Sequence, residues 1–210
     1  MNKIDNKIQV LLYGASGHSK VISSILESMN INVHGVFDDN LSLTNSNNLN
    51  ILGVYDPNYK LNFPLIISVG DNWARKRISE IVYHKFALAI HNSVIIDKYV
   101  KLGSGTVLMH NAILQRDVVV GKHCIINTNA SVDHDCVLGD FVHIAPSATL
   151  TGNIKVDEGT LIGANATILP NIKIGRWCVI GAGAVVTEDI PDHSLVVGVP
   201  GKILKKINYD

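Results

Sequence analysis

The segment VDHDCVLGD, residues 132–140, places one histidine between two carboxylates. His134 is flanked there by Asp133 and Asp135. Because the unperturbed pKa of an imidazole is ~6.5, a histidine exchanges protons near neutral pH, and a neighbouring carboxylate holds one ring tautomer and raises its basicity. The triplet therefore predicts a general base at His134, with one aspartate to orient the ring.

The triplet lies inside a six-residue repeat that fills the C-terminal half of the chain. Every sixth residue from Ile90 to Val186 is aliphatic, which makes seventeen positions in a row. The residue two places before is usually small or aliphatic, and the residue after is often glycine, as at Gly121 and Gly139. Three hexads make one triangular coil, and coils stack at the ~4.8 Å spacing of paired strands. The repeat predicts a parallel β-helix over residues 86–188.

The three cysteines fall in the small, inward position of this repeat. They are Cys124, Cys136 and Cys178. An odd number of cysteines without CxxC spacing indicates reduced thiols in a cytoplasmic protein. We therefore interpret all three as core packing, not as nucleophiles.

The hexad positions separate the roles of the two aspartates. Asp133 takes a corner position that Asp97 and Asp157 occupy in other hexads, so it has a structural reason to be there. His134 and Asp135 take the two outward positions, where the repeat requires neither. We predict that Asp135 orients His134.

A second histidine, His110, occupies the same outward position in its own hexad. Its neighbours are Met109 and Asn111, and neither supplies a carboxylate. We therefore favour His134 as the base and expect His110 to make surface hydrogen bonds.

The N-terminal part alternates strand and helix patterns. Residues 8–13 read as a buried strand, GASGHSK opens a helix, and VHGVFDDN reads as a second strand. PLIISVGDN and WARKRISEIV repeat the pattern, which predicts a small parallel α/β domain over residues 1–85. The glycines of GASGH permit a tight turn, and the following helix offers N–H donors to an anion. The polar segment 42–50 is predicted to be a solvated loop.

The joined pair, a GASGH-type α/β domain and a hexapeptide repeat, resembles one group of left-handed β-helix acyltransferases. These are the bacterial nucleotide-amino-sugar N-acetyltransferases and the related sialic acid O-acetyltransferases. The resemblance implies acetyl-CoA as co-substrate, no metal, and direct transfer to the 4-amino group of a nucleotide-linked 4-amino-4,6-dideoxy sugar. It agrees with Asp135 as the partner of the base. It also implies a nucleotide-sugar pocket lined by Ser16, Gly17, His18, Asp38, Asp39 and Gly70.

The same resemblance implies that His143, Ala164 and Ala182 contact acetyl-CoA. Ala164 and Ala182 are eighteen residues apart, so they are expected on one edge of the β-helix, with His143 beside it. The segment 189–210 is expected to close the last coil near coenzyme A, where Lys202, Lys205 or Lys206 could meet a phosphate, or equally be part of a solvated basic tail.

His134 is expected on a different edge from these residues, so a ligand that reaches both is most simply placed between two subunits. We predict a homotrimer with intersubunit active sites. Gly152 lies eighteen residues after His134 and is expected to leave room beside the imidazole for the acetyl group.

Composition excludes several other classes of protein. The chain has 210 residues, 18 Lys plus Arg and 18 Asp plus Glu, and this balance disfavours bulk binding to nucleic acid or an anionic membrane. Its N-terminus is too polar for a signal peptide, so we expect a cytoplasmic protein. Sialic acid O-acetylation stays open as an alternative. A zinc carbonic anhydrase and a non-catalytic binding protein are more remote.

Overall fold

The computed structural model describes residues 8–40, 42 and 49–208. Most of the loop predicted over 42–50, namely residues 43–48, lies outside the described residues, as do residues 1–7 of the predicted first domain and 209–210 of the predicted C-terminal segment.

The N-terminal domain is a four-stranded parallel sheet with strand order β3-β2-β1-β4. Its elements are β1 (Gln9–Tyr13), α1 (Gly17–Ser28), β2 (Asn32–Phe37), β3 (Ile51–Gly53), β4 (Leu65–Ile67) and α2 (Asn72–Ile81). Side chains of β1 alternate between two cores: Val10 and Leu12 pack with α1, whereas Leu11 and Tyr13 pack on the other face. The predicted α/β domain is confirmed, and β3 is an additional edge strand that the sequence did not predict.

The C-terminal part is the predicted β-helix. Its strands β5 to β21 are, in chain order, Ala89–Ile90, Ile95–Ile96, Lys101–Leu102, Val107–Leu108, Ile113–Leu114, Val119–Val120, Ile125–Ile126, Ser131–Val132, Val137–Leu138, His143–Ile144, Thr149–Leu150, Lys155–Val156, Leu161–Ile162, Thr167–Ile168, Lys173–Ile174, Val179–Ile180 and Val185–Val186. Strands three apart pair in parallel with an eighteen-residue register, as Ile126 does with Ile144. From β8 to β21 the second residue of each strand points inward, and these residues form the buried core with Cys124, Cys136 and Cys178, which are 0% exposed.

Three flat faces and three corners result from this winding. The five-stranded face runs from β7 to β19, the six-stranded face from β6 to β21, and the eight-stranded face from β5 to β20 and on to β22 (Ser194–Val197) and β23 (Lys202–Lys206). Each coil turns through residues with positive φ, and asparagine, which tolerates this region better than most residues, is common there: Asn129 and Asn165 have φ of 57° and 56°. Strands β22 and β23 pair antiparallel, so the predicted C-terminal segment adds a hairpin to the last coil.

The N-terminal domain packs on the eight-stranded face. Val107, Met109 and Ile125 of this face share one apolar core with Val10 and Leu12. Neither helix in the described part of the chain has the length and apolar character that a membrane span needs.

Candidate active site

The corner between the six- and five-stranded faces carries the histidine–aspartate pair, and we call it the histidine corner. His134 lies between Arg116 and Gly152 in the stack of coils: Asp135 N donates to Arg116 O at 3.1 Å and Asn153 N donates to His134 O at 2.9 Å. His134 Nδ1 is 2.7 Å from Asp135 Oδ2, and the two side chains are 59% and 58% exposed.

This hydrogen bond determines the protonation behaviour of the ring. The bond to Asp135 raises the pKa of His134 above its ordinary value. When Nδ1–H donates to the carboxylate, Nε2 carries the lone pair. The pair therefore has the geometry of a general base whose tautomer is set by a carboxylate.

Asp133 and Gly152 complete the surroundings of His134. Asp133 Oδ1 accepts a hydrogen bond from the backbone N of His134 at 2.8 Å, so its role is structural, as predicted. A Cβ on Gly152 would lie 2.6 Å from His134 Cε1 and 2.7 Å from Nε2. The imidazole itself thus takes the space that the missing side chain of Gly152 leaves. Room for the acetyl group beside the ring stays a prediction.

The competing histidine, His110, lies on the corner between the eight- and six-stranded faces. Its ring stacks on His91 with 3.7 Å between the centroids. Its ring partner is therefore another imidazole, and the preference for His134 as the base stays a prediction.

The predicted nucleotide-sugar residues lie at the carboxyl ends of β1, β2 and β4. Gly14 begins the turn with φ of 107°, and a Cβ there would lie 2.6 Å from Val69 Cγ2, so only glycine fits. Ser16 is the N-cap of α1, and its side chain makes no capping hydrogen bond within the described residues. Ser16 and Gly17 are exposed at this end of α1, and the first N–H groups of a helix can bind an anion.

The two aspartates after β2 have different surroundings. Asp38 accepts hydrogen bonds from Ala15 N at 2.7 Å and from Asn40 N at 2.8 Å, so it holds the turn that follows β1. Asp39 is exposed and accepts from Tyr13 Oη at 2.9 and 3.0 Å. Of the two carboxylates, Asp39 is therefore the more accessible.

Two partly buried histidines, His18 and His143, lie where the N-terminal domain meets the eight-stranded face. Burial, with the nearby positive charge of Arg75, lowers the pKa of His18 to about 4 and that of His143 to about 3. His143 Nε2 is 3.1 Å from Asn127 Nδ2, and a hydrogen bond with the Gly70 backbone also acts on its ring. Gly70 and His143 line a small cleft of about 140 Å³.

The remaining predicted acetyl-CoA residues lie on the corner that also carries His110, which we call the alanine corner. Gly183 N donates to Ala164 O at 2.8 Å, so Ala164 and Ala182 belong to adjacent coils, as predicted. Lys202 donates to Glu188 Oε1 at 3.2 Å, and Glu188 follows β21 at the far end of the histidine corner. The predicted contact of Lys202 with a phosphate stays a prediction.

One chain thus assembles the predicted residues into separate groups. His18, Gly70 and His143 come together at the domain joint, with Ala164 and Ala182 on the adjoining corner. His134 and Asp135 lie on the other side of the six-stranded face.

Sequence reasoning missed three residues at the joint. Arg75 is 1% exposed and donates to backbone carbonyls of both domains, Asn72 bonds Gly159 O at 2.9 Å, and Asn127 holds His143. The only available signal was the Asn72-x-x-Arg75 spacing, which places both side chains on one face of α2. Among the described residues, no three His, Cys, Asp or Glu side chains are grouped to hold a metal ion.

Two family models match the chain. The model described as PglD N-terminal domain matches residues 9–82, and the model described as bacterial transferase hexapeptide (six repeats) matches residues 117–152 and 153–188. A comparison with curated protein sequences gave no match.

Several solved structures are similar over nearly the whole chain. PerB from Caulobacter crescentus, in complex with CoA and GDP-perosamine, is 31% identical, with 94% of this chain and 97% of that chain covered and a TM-score of 0.87. The acetyltransferase domain of PglB from Neisseria gonorrhoeae, in complex with acetyl coenzyme A, is 31% identical, with coverage of 95% and 100% and a TM-score of 0.86. WeeI from Acinetobacter baumannii is 28% identical, with coverage of 93% and 100% and a TM-score of 0.83.

Proposed function

We propose a reaction for this chain from one premise: it belongs to the left-handed β-helix sugar N-acetyltransferases, enzymes that use acetyl-CoA. In the proposed reaction, the acetyl group passes from acetyl-CoA to the 4-amino group of a nucleotide-linked 4-amino-4,6-dideoxy sugar. GDP-perosamine, bound by the similar PerB, is a nucleotide-linked amino sugar and supports this substrate class.

The observation that carries the mechanism is the 2.7 Å bond between His134 Nδ1 and Asp135 Oδ2. It leaves His134 Nε2 to accept a proton from the sugar amine as the nitrogen attacks the thioester carbonyl. The carbon–sulfur bond then breaks, and the CoA thiolate leaves without an acyl-enzyme. General base assistance of this kind contributes ~10²–10⁴-fold to a rate.

The proposed site is shared between subunits of a homotrimer. The first residue of each strand points outward, and on the six-stranded face none of these residues is charged: Ile95, Ile113, Ser131, Thr149, Thr167 and Val185. The five-stranded face presents Lys101, Lys155 and Lys173 instead. An uncharged face bounded by the histidine corner and the alanine corner is suited to pack against copies of itself, which would bring His134 of one subunit to Ala164 and Ala182 of the next.

The experiment that tests the reaction measures thiol release from acetyl-CoA with UDP-, GDP- and dTDP-linked 4-amino sugars, and with sialic acid and CMP-sialic acid. We expect release with an amino sugar, a loss of ~10²–10⁴-fold in His134→Ala, and near wild-type rates in His110→Ala. Release with the sialic acids alone would move the assignment to O-acetylation. A fully active His134→Ala would refute the role of His134.

Mixed trimers test the shared site. His134→Ala removes the base, and Ala182→Trp places a bulky ring on the proposed acetyl-CoA corner, so each variant alone is expected to be inactive. In trimers assembled from equal amounts of both, each site draws its two corners from different subunits, and about a quarter of the sites should be intact. Mixtures that stay inactive would contradict the intersubunit arrangement.

A further inference from the structure

Among the described residues, Arg75 is the largest fully buried side chain, at 1% exposed. An arginine guanidinium has five N–H donors, and here all five are used. Nε donates to His123 O at 2.7 Å, Nη1 to Val69 O and Gly70 O at 3.1 Å each, and Nη2 to Asn72 Oδ1 at 2.8 Å and Phe141 O at 3.0 Å. The five acceptors are carbonyl and amide oxygens, and none belongs to a carboxylate.

These acceptors belong to two parts of the molecule. Val69, Gly70 and Asn72 form the turn between β4 and α2, whereas His123 and Phe141 lie on successive coils at the corner between the five- and eight-stranded faces. One planar group therefore ties the turn to two coils, and Asn72 Nδ2 extends the contact to Gly159 O on a third coil at 2.9 Å.

Adhesion of the two domains does not require this arrangement. The apolar core that includes Leu12, Val107 and Ile125 already joins them. A buried cation generally costs more free energy than an apolar group of similar volume. A guanidinium with every donor engaged does, however, fix the direction and distance between the groups that it binds, because its fork is planar and rigid.

The turn that it fixes belongs to the predicted nucleotide-sugar pocket. Gly70 lines the cleft of about 140 Å³ together with His143, and its backbone also hydrogen-bonds that histidine. A shift of the turn would change the shape of this cleft and its distance from the β-helix.

We propose that Arg75 is a positioning residue for sugar binding, which holds the Gly70 turn at a set place against the β-helix. This inference rests on the proposed function. It predicts an effect on the KM of the nucleotide sugar, with little effect on the chemical step at His134, which lies on another corner.

The test compares Arg75→Lys with Arg77→Lys, an exposed arginine of the same helix. Lysine keeps the charge but loses the fork. We expect Arg75→Lys to raise the KM for the nucleotide amino sugar about tenfold or more, while kcat changes less than about threefold. Hydrogen exchange at residues 68–72 should quicken in Arg75→Lys and not in Arg77→Lys. Equal KM values for the nucleotide amino sugar in the two variants would overturn the proposal. So would an Arg75→Lys enzyme whose only change is a fall in kcat that matches its loss of folded protein.

A milder variant keeps the test decisive if Arg75→Lys does not fold. Asn72→Ser removes one of the five acceptors and the bond to Gly159, and we expect a rise of about threefold in the same KM. An unchanged KM together with unchanged exchange at residues 68–72 would overturn the proposal. Failure of the wild type to acetylate any nucleotide-linked amino sugar would refute the proposed function instead, and the exchange measurement would still decide whether Arg75 holds the turn.

Discussion

Two groups of histidines in this chain have opposite surroundings. His134 is exposed on the histidine corner, and its bond to Asp135 raises its pKa. His18 and His143 lie at the domain joint, where burial and the charge of Arg75 lower their pKa values to about 4 and about 3. Near neutral pH the first site is placed to accept a proton, whereas the second stays uncharged.

In the proposed mechanism, this difference separates proton transfer at His134 from ligand binding at His18 and His143. A base must exchange protons with its substrate, so exposure and a carboxylate partner suit it. A neutral imidazole has one nitrogen that accepts a hydrogen bond and one that donates it. His18 and His143 are therefore suited to orient a polar ligand at the domain joint. The predictions below test this contrast, starting with the largest expected effect.

Replacing Gly152 by alanine should impair the exposed histidine most. The new Cβ would lie 2.6 Å from Cε1 and 2.7 Å from Nε2 of His134, so the imidazole must move away from its position beside Asp135. Displacement of a catalytic group by about 1 Å can cost ~10²-fold in rate, and we expect a loss of kcat of that order with little change in either KM. Steady-state kinetics measure it.

The matched control for this change is Pro170→Ala, at the exposed position one coil further along the same corner. It should keep near wild-type kcat. A Gly152→Ala enzyme with unchanged kcat would mean that the observed position of the ring is not the reactive one.

The partly buried histidines at the domain joint should make the folded state sensitive to acid. Unfolded histidine titrates near ~6.5, but His18 and His143 titrate at about 4 and about 3 when folded. Between these values the unfolded chain binds the protons that the folded chain does not, so stability falls as pH falls. From pH 7 to pH 5 each histidine should cost about 2 kcal/mol of unfolding free energy. Urea unfolding at several pH values measures this loss.

Single variants assign the acid sensitivity to the joint. His18→Gln and His143→Gln should each make the loss of stability between pH 7 and pH 5 smaller. His134→Gln should not, because a raised folded pKa contributes stability at low pH that is lost as pH rises. The same pH dependence in all three variants would contradict the contrast between the two groups.

The sequence predicted the β-helix well because each hexad carries its own structural information. The aliphatic position from Leu108 to Val186 is buried throughout, and the eighteen-residue register follows from three hexads in a coil. The strand β3 was missed because its three residues follow an Asn-rich stretch and carry no alternating pattern.

In the candidate site, too, the features encoded by neighbouring residues were predicted, and those that depend on tertiary packing were missed. The pair His134–Asp135 was predicted because adjacent residues in one hexad depend little on the rest of the fold. The burial of Arg75 was missed because it arises when α2 docks on the β-helix, and WARKR alone reads as a solvated helix. The eighteen-residue register predicted that Gly152 lies beside His134. It did not predict that the His134 ring covers this glycine, because the rotamer of a side chain depends on packing and not on residue spacing.

The smallest of the expected effects concerns the partner of the base. Asp135→Asn keeps the shape of the side chain but removes the negative charge that Nδ1–H donates to. Since the bond to Asp135 is the main cause of the raised pKa of His134, this pKa should fall, and the acid limb of the kcat/KM profile should move to lower pH. A weaker base with a less strictly held tautomer should lower kcat/KM about tenfold at the optimum. Asp133→Asn is the control, because the Asp133 carboxylate bonds the backbone N of His134, and it should shift the limb less. An acid limb that stays in place in Asp135→Asn, or moves to higher pH, would mean that the 2.7 Å contact does not govern the base.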